Sequence, residues 1–101
     1  MTNIVKNMSG TAGQVPPYPY QKLSWLEYWE RKTDQKASVC SVCGCFKKAE
    51  HGGHVKRCGV FFDSRTYIVP LCADCNNPNN TEEFYVDCEL CPVSYLWFVN
   101  K

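Results

Sequence analysis

The sequence predicts a small α+β domain closed by cross-links, and three observations predict it. The chain has 101 residues, and a chain this short hides too little surface on folding to stand on a generous core alone. It carries eight cysteines, Cys40, Cys43, Cys45, Cys58, Cys72, Cys75, Cys88 and Cys91, most of them in Cys-x-x-Cys units. Its hydrophobic pattern changes along the chain, from one helical stretch to several short alternating runs.

Residues 1 to 22 are rich in Gly, Ser, Thr, Asn and Pro and show no hydrophobic period, so a flexible N-terminal arm is expected there. Pro16, Pro17 and Pro19, with Tyr18 and Tyr20, would also suit a polyproline-like segment. A single domain over 23 to 101 follows. It opens with "LSWLEYWERKT", where Ser24 can cap a helix and Glu27 can complete a capping box. Leu23, Trp25, Leu26, Tyr28 and Trp29 crowd one broad face, which predicts an N-terminal amphipathic helix over about 24 to 33. From Val39 the text turns to ligands and turns. "CSVCGC" reads as a tight knuckle, "GGHVKRCGVFF" and "RTYIVPL" as two strands joined near Asp63 and Ser64, and "CADCNN" as the start of a short helix stopped by "NNPNN". "EEFYV" and "VSYLWFV" alternate as C-terminal strands.

The N-terminus lacks an apolar signal core, so the expected setting is cytoplasmic. The longest apolar run is too short to cross a bilayer, which argues against a membrane partner. In a reducing compartment thiols persist and bind metal more readily than they pair. A disulfide scaffold would require that a leader had been removed. Zinc takes four sulfur or nitrogen ligands at tetrahedral corners, and a two-residue gap lets two thiolates face one ion. Cys40 and Cys43, with Gly44 permitting the turn, and Cys72 and Cys75 are therefore the expected ligands of one structural Zn2+. Cys45 competes with Cys43 for its place. Four thiolates leave no open coordination position, so such an ion holds structure and does not catalyse. Cys88 and Cys91 could begin a second site, with Cys45, Cys58, His51 and His54 as further candidates.

Knuckle, histidine-bearing hairpin and "CADCNN" together resemble the treble-clef, ββα-metal group that includes the HNH endonucleases, over about residues 39 to 79. The match is to a variant in which Gly-Gly-His-Val stands where Asp-His-Ile is more familiar. The resemblance implies a zinc-stapled treble clef of knuckle, β-hairpin and short helix. In nuclease relatives the hairpin histidine is the general base and a second metal steadies the phosphate. Carried over, His54 matches the base and Asn76 the helix position, while Gly53 stands where an acidic metal ligand is expected. A glycine offers no ligand, so the resemblance implies a catalytically degenerate module. The alternatives are an active metal-dependent endonuclease using His54, and a two-zinc module resembling a RING domain, with His54 and Cys58 as its intermediate pair.

Eleven basic and ten acidic residues leave a formal charge of +1, which excludes a strong overall pull toward phosphate backbones. Lys47, Lys48, Lys56, Arg57 and Arg65 gather locally and are the candidate contacts for weak, salt-sensitive binding of DNA or RNA. A protein partner is the other reading of that module. Tyr95, Trp97 and Phe98 could form an apolar patch for a homodimer, or pack on the Trp25–Trp29 helix.

Overall fold

The computed structural model describes residues 2–8, 13–59, 63, 65–77 and 79–93. The chain builds β1 (Asn3–Asn7), α1 (Trp25–Thr33), β2 (His51–Arg57), β3 (Thr66–Leu71), β4 (Glu83–Val86) and β5 (Cys91–Pro92). All strand pairs are antiparallel, in the order β4-β1-β2-β3-β5. Directly opposed residues share a face and neighbours along a strand alternate, so the registers sort the side chains into two layers. Val5, Val55, Tyr67, Val69, Leu71 and Val86 pack with Cys40 and Cys72 on one face. Tyr28 and Trp29 of α1 pack with Ile68 and Cys91 on the other. β3 is buried on both sides, which explains why "YIVPL" is apolar without interruption.

α1 follows from its sequence. Glu27 N–H donates to Ser24 Oγ at 3.1 Å and Ser24 N–H donates to Glu27 Oε1 at 2.9 Å, completing the capping box. The helix ends where Asp34 takes a left-handed conformation, φ 55°. Its buried face is anchored across the domain: Trp29 Nε1–H donates to the Glu89 carbonyl at 2.9 Å, and the Tyr28 hydroxyl to that of Pro92 at 3.3 Å. Gly52 lets the helix approach the sheet, because a Cβ there would overlap the Trp25 backbone and lie 2.6 Å from Leu26 N.

Two expectations need correction. The flexible arm over 1 to 22 does not hold at its start, since Asn3–Asn7 is β1, paired with β2 on one side and β4 on the other. Five residues with a single buried valine carry little periodic signal; the partner strands license the conformation. The short helix after Cys72 is instead one turn, with Asn76 N–H donating to the Cys72 carbonyl at 3.0 Å. Propagation fails because the Cys75 carbonyl is taken by the side-chain amides of Asn7 (2.9 Å) and Asn80 (3.3 Å), while Asn79 N–H turns to Asn77 Oδ1 at 2.8 Å. β5 is brief, and the strand expected over "VSYLWFV" lies, from 94 onward, outside the described residues, as do Tyr95, Trp97 and Phe98. No helix among the described residues is long and apolar enough to cross a membrane.

Candidate metal centre

The centre lies on the sheet face opposite α1, where a knuckle over Cys40–Cys45 meets the turn after β3. The Cys40 N–H donates to the Lys47 carbonyl at 2.8 Å, and Ser41 binds the Pro70 carbonyl through both N–H (3.0 Å) and hydroxyl (2.7 Å). The first bond closes the knuckle on itself, and the two from Ser41 seat it against β3. Within it, Cys45 N–H donates to the Val42 carbonyl at 2.9 Å, and Gly44 sits at φ 86°. This is a turn whose third residue needs the left-handed region, and glycine enters it at little cost.

That turn decides which cysteines converge. Cys40, Cys45, Cys72 and Cys75 place their four sulfurs within 4.8 Å of one another. Cys43, the expected knuckle ligand, stands at the second position of the turn, is exposed, and spends its N–H on the Tyr85 carbonyl of β4 at 2.9 Å. Cys45, at the end of the turn, comes back to the site in its place. The sequence contained the hint, since a glycine at position 44 fits the third position of a turn that closes on Cys45.

The donor set suits a tetrahedral ion. Sulfurs about 2.3 Å from a central zinc stand about 3.8 Å apart at tetrahedral corners, and Cys45 Sγ lies 3.8 Å from Cys72 Sγ. A disulfide needs about 2.05 Å, and all the described cysteines are free. Cys75 N–H also points at Cys72 Sγ, at 3.5 Å, so backbone dipoles favour negative sulfur there. Burial pushes the thiols of Cys40 and Cys75 up. Burial raises Cys72 too, but the N–H of Cys75 and the thiols of Cys75, Cys40 and Cys45 outweigh it and hold Cys72 below the ordinary range. One thiolate forms readily and opposes the next, and a divalent cation at the centre reverses that opposition. An ion pair between Lys47 and Asp74 ties the knuckle to the second turn at the surface.

The other candidates lie elsewhere. Cys88 and Cys91 join no group of three or more donors among the described residues, and burial raises each thiol to about 11, which keeps them neutral. Cys58 sits at the far end of β2, half-buried, with its N–H on the Ile4 carbonyl at 2.8 Å. His51 is exposed.

His54 faces α1, on the side of the sheet away from the thiols. It is 8% exposed, its ring lies edge-on to Trp25 with centroids 4.4 Å apart, and burial lowers its pKa. Its Nε2 is buried without a hydrogen-bond partner among the described residues. Asn76 lies across the sheet, beside the position a Cβ on Gly53 would take, 2.9 Å from Asn76 Oδ1. The two residues that match the nuclease pattern are therefore separated by β2.

Compared with family models, with curated proteins and with solved structures, the chain matches none.

The basic candidates are dispersed. Arg57 Nε and Arg65 Nε lie 3.0 and 3.3 Å from the Asp63 carboxylate, and both guanidinium groups stand over the Tyr67 ring. The Tyr67 hydroxyl, donating at 2.8 Å, brings the Asp63 carboxyl down to about 2, against the upward push of burial and with help from Arg65. Lys47 is paired with Asp74. Lys48 and Lys56 are exposed, Lys48 beside the knuckle and Lys56 on the α1 side of the sheet. Sequence reasoning missed Asn7, which holds the second turn through the Cys75 and Asn80 carbonyls, because nothing in "NIVKN" announces a contact with residues some seventy positions away.

Proposed function

We propose that this chain is a zinc-stapled binding module of the HNH-like kind, without hydrolytic activity, whose partner is nucleic acid. One observation carries the structural half: four cysteine sulfurs converge, one pair at the 3.8 Å separation of a tetrahedral edge. Zinc, when bound there, neutralises thiolate charge and ties the knuckle to the turn after β3. Cys40, Cys45, Cys72 and Cys75 fill its shell, so no position is left for water or phosphate.

The absence of hydrolysis is supported by the surroundings of His54. A general base must come within hydrogen-bond reach of the water it activates, and this imidazole is sealed against Trp25. Asn76, the other matching residue, belongs to the opposite face. The nucleic-acid half draws on the resemblance of the knuckle and hairpin and on lysines left without an ion pair among the described residues.

The zinc-loaded chain is tested in two assays. Incubation with supercoiled plasmid and magnesium, manganese or nickel leaves the plasmid intact; nicking that disappears in His54→Ala would establish the active endonuclease instead. Titration of single-stranded and duplex DNA shows salt-sensitive binding, and no binding to either at low salt overturns the nucleic-acid reading.

A further inference from the structure

α1 covers only part of its side of the sheet. It packs over β2, β3 and β5 and makes no contact with β1 or β4. The registers identify what lies on the remaining area. Tyr85 opposes Ile4, and Glu83, Lys6 and Lys56 form the next row across β4, β1 and β2. Tyr85 is 56% exposed, Lys6 and Lys56 are exposed, and Ile4 is half-buried. A tyrosine and an isoleucine thus make a small apolar floor beside two ammonium groups.

The lysine pair needs a reason. Like charges directly opposite one another on antiparallel strands destabilise a sheet, and Lys6 and Lys56 are Cα partners. Neither has an ion pair among the described residues. Glu83 opposes Lys6 on its other flank and also approaches the Cys58 thiol, so it balances at most one of the two charges. An anion over the row would offset the repulsion.

We infer that this open half-face binds single-stranded nucleic acid, with a base stacked on Tyr85 and Ile4 and the adjoining phosphate between Lys6 and Lys56. The inference rests on the nucleic-acid reading above and assigns that reading a surface and a strand class. Neighbouring rows on one face of a strand are about 7 Å apart, within the span from a base to its own phosphate. Bases inside a duplex are stacked on one another, whereas an unpaired base has a free π-face for an exposed aromatic. Stacking of this kind tolerates any base, so binding is broad in sequence. The surface lies across the sheet from the thiols, and the ion contributes only by keeping the sheet rigid.

Fluorescence anisotropy of labelled oligo(dT) and of a duplex of equal length, with the zinc-loaded full chain at low and physiological salt, tests it. The single strand binds more tightly. Tyr85→Ala weakens it by roughly tenfold or more, and replacing both lysines with glutamine lowers the salt slope of log K by about 0.7, the value for one phosphate contact on a single strand. Zinc content and circular dichroism confirm that the variants fold. Parent-strength binding by both variants, or preference for the duplex, overturns the open face but leaves the nucleic-acid reading standing. No binding by the parent to either probe removes both. Photocrosslinking of a bromouridine-substituted oligonucleotide to the unaltered chain checks the result without a substitution. Adducts at Tyr85 support the inference, and adducts confined to the Cys40–Cys45 knuckle and to Phe46, the exposed aromatic that follows it, refute it.

Discussion

Gly52→Ala tests how α1 is set on the sheet. The added carbon would lie 2.6 Å from Leu26 N and overlap the Trp25 backbone, where about 3.5 Å is comfortable, so α1 must retreat by about 1 Å. A backbone obstacle cannot swing aside as a side chain does. The retreat loosens the Trp25–His54 contact and the packing of Tyr28 and Trp29 on Ile68. Overpacking of this kind costs about 1–3 kcal/mol. Replacing glycine returns about 0.4–1 kcal/mol by restricting the unfolded chain, so destabilisation wins. For a domain of this size each kcal/mol moves the midpoint by about 4–8 °C, and the variant should melt roughly 5–15 °C below the parent. Thermal unfolding of both zinc-loaded proteins, followed by tryptophan fluorescence, measures it. Gly53→Ala meets side-chain atoms of Leu71 and Asn76 and should cost less. A Gly52→Ala protein as stable as the parent would refute the close approach.

Three further outcomes are expected. Burial lowers the His54 pKa, so the fold favours neutral imidazole; the associated stability is full above the unfolded value of about 6.5 and is lost as pH falls below it. The unfolding midpoint should therefore drop more between pH 7.5 and 5.5 in the parent than in His54→Leu, and equal slopes would contradict the buried imidazole. Asn7→Ala removes the amide that holds the Cys75 and Asn80 carbonyls and should cost about 1–3 kcal/mol, with faster loss of zinc to a chelator; unchanged release would separate β1 from the site. Asp63→Asn discharges the clasp on Arg57 and Arg65 and should lower the unfolding midpoint most at low ionic strength, whereas a salt-independent change would mean that charge is not what holds the turn.

The fold was legible where local chemistry and global packing agree. Ser24 and Glu27 announce the start of α1, and "HVKR" and "TYIVPL" announce the hairpin that carries the second cysteine pair. It was hidden where tertiary contacts override the local pattern. "NIVKN" is an interior strand only because β2 and β4 flank it, and "CADCNN" stops after one turn because Asn7 and Asn80 take the carbonyl that a helix would use. The cysteine set was three-quarters readable. Spacing alone left Cys43 and Cys45 in competition, and the choice fell to a turn geometry that depends on Gly44 and on the β4 edge accepting Cys43 as a backbone neighbour. The open face with Tyr85, Lys6 and Lys56 has no linear signature, since its residues meet only through strand register.

The most direct test of the account is the zinc content of three proteins, the parent, Cys43→Ser and Cys45→Ser, measured by native mass spectrometry. One ion per chain in the parent and in Cys43→Ser, with loss or marked weakening in Cys45→Ser, is the predicted result. A parent without zinc, or a site that survives Cys45→Ser and fails in Cys43→Ser, would contradict it.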